Sequence, residues 1–305
     1  MALALLGPAE IRDLAELLGI QPTKKLGQNF VIDANTVRRI VRIAGVTSAT
    51  TVVEIGPGLG SLTLGLLETG ARVVAVEIDS RLARQLPLTV AAKQTVVAEQ
   101  TTAANQTVDA KLPYASPDAR LTVISADALT VTELDPSPDV LVANLPYNIS
   151  VPVLLHFLES FPGLASGLVM VQAEVGQRLA APPGSKTYGS PSAKAAWYGE
   201  FRLAGTVSRQ VFWPVPNVDS VLVAFDRREP PGTEAERLAT FAVIDAAFQQ
   251  RRKMLRQALA VLLGDPATAS ARIEAAGLAP TARGEELTVG DFLAIARAQG
   301  RNDNL

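Results

Sequence analysis

Apolar residues along the chain fall into short β-branched runs separated by stretches with helical spacing. The runs are 51–55 (TVVEI), 72–77 (RVVAVE), 121–124 (LTVI), 140–143 (VLVA), 168–171 (LVMV), 201–207 (FRLAGTV) and 220–225 (SVLVAF), and each predicts a strand. Between them, 61–69 carries Leu62, Leu64, Leu66 and Leu67, and a second helix opens at Ile78-Asp79-Ser80 and runs through Leu86. Ser150 reads as the N-cap of a helix through Leu158, with Pro152 tolerated in its first turn. An amphipathic helix is predicted over 8–18. Strands alternating with helices predict a parallel, doubly wound α/β sheet. The polar, proline-bearing stretch 226–232 (DRREPPG) breaks the pattern, and beyond it only helical spacing continues. A sheet domain over 1–228 followed by a small all-helical domain over 229–305 is therefore expected. Residues 88–119, rich in Ala, Thr, Val and Gln, form an insertion between the second and third strands that is too long for an ordinary connection.

Composition narrows the chemistry. The 305 residues include no cysteine, which excludes disulfides, thiolate metal sites and a cysteine nucleophile. His156 is the single histidine and is read as structural, and no His, Cys or carboxylate cluster predicts a metal. No uninterrupted apolar stretch reaches the ~18 residues of a membrane span. The N-terminus lacks the basic region of a signal peptide, so a cytoplasmic protein with no membrane partner is expected. The net charge of -2 and a pI near 5.6, taken as sums, argue against a nucleic-acid partner. A local basic face can override the sum.

In doubly wound sheets ligands sit at the carboxyl ends of the strands, and Gly56, Glu77, Asp127 and Asn144 all fall there. Gly56-Pro57-Gly58-Leu59-Gly60 follows the first strand directly, so the backbone can approach a ligand closely, with a helix N-terminus beyond it. Glu77 ends the second strand, where a carboxylate accepts both hydrogens of a ribose diol. Together they predict a nucleoside-containing cofactor, NAD or S-adenosylmethionine. Asp127 can accept from an adenine amino group, and equally can cap a helix.

The NLPY run, 144–147, decides between the two cofactors. The exocyclic nitrogen of adenine is a poor nucleophile, because its lone pair is delocalised into the ring. The Asn144 side-chain carbonyl and the backbone carbonyl of Leu145 or Pro146 can accept its hydrogens and stabilise positive charge growing on the nitrogen during methylation. Pro146 makes the turn rigid, and Tyr147 offers a face on which a base stacks, worth ~1–3 kcal/mol.

From 24 to the end, the chain resembles the ribosomal RNA small-subunit adenine dimethyltransferases, which dimethylate two adjacent adenines in a hairpin loop near the 3′ end of 16S rRNA. The resemblance rests on LGQNFVID (26–33), VVEIGPGLGSLT (52–63), VVAVEID (73–79), NLPYNIS (144–150), SKTYG (185–189), FWPVPNVDSVLV (212–223) and FQQRRKMLRQAL (248–259). It departs at the 88–119 insertion and at Asn217, where the family often carries a basic residue. The resemblance implies a Rossmann-like methyltransferase sheet with a helical RNA-binding domain. It implies S-adenosylmethionine contacts from Asn29, Val31, Gly56, Gly58, Glu77, Asp127 and Asn144, and a target adenine held by Asn144, Leu145, Pro146 and Tyr147 with Phe212 pressing on the opposite face.

The resemblance also assigns Arg251, Arg252, Lys253 and Arg256, read as a cluster on one helix, to RNA. Lys24 and Lys25 precede GQNF, and Arg38, Arg39 and Arg42 read as a solvated helix face. The expected partner is small-subunit rRNA in an immature ribosomal particle, bound by a monomer. A large-subunit adenine dimethyltransferase of the macrolide-resistance type is the nearest rival, disfavoured by 185–189 and 248–259. An assembly factor acting mainly by docking is a rival of another class.

Overall fold

The computed structural model describes residues 4–20, 29–99 and 118–300. Lys24, Lys25, residues 26–28 of the GQNF segment and residues 100–117 of the insertion lie outside the described residues. The first elements are α1 (Pro8–Leu17), β1 (Phe30–Val31), α2 (Ala34–Ile43), β2 (Thr51–Ile55), α3 (Ser61–Glu68), β3 (Arg72–Glu77), α4 (Ser80–Glu99) and β4 (Leu121–Ser125). Next come β5 (Val140–Asn144), α5 (Ser150–Ser160), β6 (Ser166–Gln172), α6 (Ala173–Leu179), α7 (Ser190–Tyr198), β7 (Gly199–Val207), β8 (Phe212–Trp213) and β9 (Ser220–Arg227). The chain ends with α8 (Glu234–Gln249), α9 (Leu255–Ala258), α10 (Ala260–Leu263), α11 (Pro266–Ala275) and α12 (Val289–Gly300).

Seven strands form one sheet in the order β4-β3-β2-β5-β6-β9-β7, and β1 pairs with β8 in a separate ribbon. Strands β2 to β6 run parallel wherever they neighbour one another. The order reverses at β2: the chain adds β3 and β4 on one side, then crosses to add β5 and β6 on the other. Such a reversal leaves a crevice at the carboxyl ends of the two strands that flank it. The near-continuous apolar runs of β2 and β5 follow from burial on both faces.

Several elements differ from their predicted form. Helix α4 continues past Leu86 through Pro87. Its buried Leu82, Leu86 and Val90, with an ion pair between the buried Lys93 and Glu10 of α1, offset the hydrogen bond that the proline removes. Ser150 is the first residue of α5, whose N-cap is Ile149. Helices α6 and α7 have no counterpart in the predicted pattern.

The chain divides into two compact units, 1–176 with 203–225 and 177–202 with 226–305. Residues 177–202 fall in the unit that holds the C-terminal helices, with 199–202 also opening strand β7. Buried Tyr188 and Ala193 share a core with Val243, Ile244, Phe292 and Ile295, and Lys194 of α7 pairs with Asp245 of α8 at 2.7 Å. The core of the first unit joins Val52, Leu64, Leu66 and Val73 to Ile11 and Ile40.

Gly167 of β6 lies where a side chain has no room: a Cβ would sit 2.3 Å from Phe225 Cε1 and 2.6 Å from the Leu141 carbonyl oxygen. Gly167→Ala is expected to cost about 1–3 kcal/mol by overpacking, read as a lower urea midpoint with an unchanged m-value. An unchanged midpoint would mean that the sheet yields at no cost.

Candidate active site

The turn after β2 begins with Gly56, whose N–H donates to the Val76 carbonyl at 2.8 Å and so ties the turn to β3. Gly58 has φ +58°, and a Cβ there would meet the Phe30 ring at 2.8 Å, so both the backbone conformation and the close packing require glycine. The Gly58 N–H donates to Glu77 Oε2 at 3.1 Å, while Glu77 Oε1 accepts from the Asp79 N–H at 2.9 Å. The carboxylate is 5% exposed. Burial raises its pKa, against the pull of the Asp79 and Gly58 N–H groups. Two backbone donors thus fix its orientation at the end of β3.

A cleft of about 290 Å³ opens beside this turn. Asn29, Val31, Gly56, Gly58, Glu77, Asp127, Asn144 and Pro146 all line it. Asp127 also caps the turn that follows β4, accepting from the Leu129 N–H at 3.0 Å, which is one of the two uses weighed for it. The Asn144 Nδ2 donates to the Asn29 carbonyl at 2.9 Å. Only the amide nitrogen can face a carbonyl oxygen, so this bond leaves Oδ1 as the acceptor.

Other cleft residues escape the sequence pattern. Glu54, inside β2, is 1% exposed and accepts a 2.6 Å hydrogen bond from Thr63 Oγ1. Burial pushes its carboxyl up to about 8, with repulsion from Glu77 adding to the rise and the Thr63 bond opposing it. An acidic residue inside an apolar strand was the available signal. Ser61, the first residue of α3, is 8% exposed, and its Oγ has no hydrogen-bond partner. Ile78 and Leu129 are exposed apolar side chains on the cleft wall, where a purine ring could pack. Asn148 and Ile149 extend the lining beyond NLPY.

The orphaned Ser61 hydroxyl at a helix N-terminus and the buried carboxyls of Glu54 and Glu77, beside the exposed apolar walls at Ile78 and Leu129, fit a ligand carrying a carboxylate, an ammonium, a ribose and a purine. S-adenosylmethionine has these groups. Among the described residues no cluster of three or more His, Cys, Asp or Glu side chains could hold a metal, and no helix is long and apolar enough to cross a membrane.

Three expected adenine contacts do not line the cleft. Leu145 is 1% exposed, and its N–H donates to the Met170 carbonyl at 3.1 Å. Tyr147 is half-buried, with its hydroxyl 2.9 Å from Ser220 Oγ. Phe212 is 1% exposed and belongs to the core of the first unit. Pairing of Val31 with Phe212 and of Phe30 with Trp213 draws the F-x-P segment into a ribbon, and the Phe212 side chain packs in the core.

The expected cationic helix is corrected. Helix α8 ends at Gln249, and 251–253 form a turn before α9, which carries Arg256. Arg252 and Lys253 are exposed and Arg256 partly so, whereas Arg251 pairs with Glu285 at 2.9 Å.

The raised carboxyl of Glu54 has a consequence for stability. Between the ordinary value of 4.5 and about 8, the unfolded chain has released a proton that the folded protein keeps, so stability falls as pH rises through that window. Glu54→Gln removes this dependence and should gain on the wild type by up to about 1.4 kcal/mol per pH unit across it. Urea unfolding at pH values below and above the window checks this, and parallel pH profiles would contradict it.

A family model described as ribosomal RNA adenine dimethylase matches residues 20–299. The chain is 66% identical over 297 residues to a ribosomal RNA small subunit methyltransferase A of Leifsonia xyli, covering 96% of this chain and 98% of that one. It is 56% identical over 299 residues to the protein of that name in Streptomyces avermitilis, covering 97% and 95%. Two solved structures share the fold. The 23S rRNA methyltransferase ErmE has a TM-score of 0.62 at 23% identity, covering 89% of this chain and 100% of that one. A dimethyladenosine transferase from Plasmodium falciparum has a TM-score of 0.64 at 22% identity, covering 86% and 94%. The chain belongs to the ribosomal RNA adenine dimethylase family.

Proposed function

We propose that this cleft binds S-adenosylmethionine and that the chain dimethylates N6 of two adjacent adenines in the 3′-terminal hairpin loop of small-subunit rRNA, within an immature particle. Family membership makes the chain an S-adenosylmethionine-dependent rRNA adenine dimethyltransferase, and the relatives at 56–66% identity carry the small-subunit assignment over the large-subunit one. The single observation that carries the chemistry is the bond from Asn144 Nδ2 to the Asn29 carbonyl.

When bound, the cofactor supplies an electrophilic methyl group on a sulfonium. The residues of this chain bind and orient. Glu77 suits the ribose diol, Glu54 the amino-acid ammonium, and Ser61 with the N-terminus of α3 the carboxylate. Asn144 Oδ1, held outward by the Asn29 bond, accepts one N6 hydrogen. The backbone carbonyl of Leu145 or of Pro146, which also accepts from the Ile149 N–H at 3.2 Å, accepts the second. Two neutral acceptors favour a localised lone pair on N6 and stabilise the charge that grows there. The alkylated nitrogen is acidic enough to release its proton to water, so no side chain here has to act as a strong base. Tyr147, restrained by Ser220, supplies the stacking face. We place the reaction in the cytoplasm and assign it to a monomer.

Methyl transfer to small subunits lacking the modification, with mapping of the product, tests the assignment: dimethyladenosine at two adjacent loop adenines is expected, and product on large-subunit RNA would overturn it. Asn144→Ala is expected to lower kcat by about 10²–10³ while changing cofactor affinity much less. Glu77→Ala should weaken cofactor binding about ten- to hundredfold. Equal losses of binding in the two variants, measured by calorimetry, would remove the division of roles.

A further inference from the structure

The segment 182–188 (PPGSKTY) has no part in the cleft, yet it is held tightly inside the second unit. The Gly184 N–H donates to the Glu285 carbonyl at 2.7 Å. Tyr188 is buried, donates its hydroxyl to the Leu287 carbonyl at 2.7 Å and meets the Phe248 ring edge-on at 5.9 Å. Arg251 completes the attachment. Its Nε donates to Glu285 Oε2 at 2.9 Å and its Nη2 to the Lys186 carbonyl at 2.6 Å.

Two consequences follow from these bonds. Two Arg251 donors, Nε and Nη2, are committed to a carboxylate and a carbonyl of its own unit, which fix the guanidinium in place. The Nη2 bond ties the Lys186 carbonyl to the side chain that leads the 251–253 turn. Lys186, Arg252 and Lys253 are exposed there, and among the described residues none has an acidic partner. An acidic residue beneath a basic edge is unfavourable for binding a polyanion unless it serves another purpose, and Glu285 serves one by tethering both the loop and the turn.

We propose that Lys186, Arg252 and Lys253 form one phosphate-binding edge for structured RNA, and that Arg251 is a positioning residue which holds this edge together through Glu285 rather than a phosphate contact. The proposal rests on the rRNA reading above and adds Lys186 to the RNA surface while removing Arg251 from it.

The test is binding of the full chain to small ribosomal subunits lacking the dimethyladenosines, over a salt series. Lys186→Ala should weaken binding about three- to tenfold and lower the slope of log K on log salt by about one. Glu285→Gln is the decisive variant. A direct Arg251–phosphate contact would be freed by it, and binding would tighten. The positioning role requires the opposite: weaker binding, a lowered salt slope, and no further loss when Lys186→Ala is added. An unchanged slope in Lys186→Ala, which alters an exposed side chain and leaves folding intact, overturns the proposal, as does tighter binding by Glu285→Gln. Failure of the wild type to bind small subunits at all would instead overturn the rRNA reading.

Discussion

The parallel pairing of β2 with β3 on one side and β5 on the other is the constraint on which the site depends. Because the chain reverses its direction of addition at β2, the loops after these strands diverge and leave a crevice. Everything chemical is then a matter of what each strand carries at its end. Strand β2 ends in a glycine turn, β3 in a carboxylate that grips that turn through the Gly58 N–H, and β5 in an amide that grips the backbone at Asn29. Glu77 and Asn144 therefore hold the walls of the cleft that they line.

These groups are costly to bury. Two carboxyls, Glu54 and Glu77, are buried close enough for Glu77 to add to the rise of the Glu54 pKa, and a serine hydroxyl is left without a partner. A buried polar atom with no partner destabilises the folded state, and such concentrations of unfavourable burial cluster where a ligand later supplies the missing partners. The polar groups buried in the cleft suit those of S-adenosylmethionine.

The second unit uses a different economy. Its core is built from alanine, aliphatic and aromatic side chains, and its polar bonds serve to pin loops: Tyr188 to Leu287, Gly184 to Glu285, Arg251 to both Glu285 and Lys186. A protein with a net charge of -2 can present a basic edge in this way, because acidic groups such as Glu285 are drawn into tethers. Net charge describes the whole chain, whereas a polyanion feels the local field within about a Debye length.

The sequence by itself determined the strands of the sheet, since burial on both faces demands short β-branched runs, and it narrowed the cofactor to a nucleoside-containing one, since Gly56, Glu77, Asp127 and Asn144 all fall at strand ends in a doubly wound sheet, with the NLPY run choosing the methyl donor. Those are local patterns plus one topological rule. Only the tertiary structure decided the fate of groups whose neighbours are distant in the chain. Phe212 is claimed by the core through its ribbon with Val31, Arg251 is claimed by Glu285, and residues 177–202 fall in the unit that holds the C-terminal helices. Glu54 and Ser61 become site residues because folding removes water from around them, an effect that depends on how densely the surrounding strands and helix pack and leaves little trace in residue spacing.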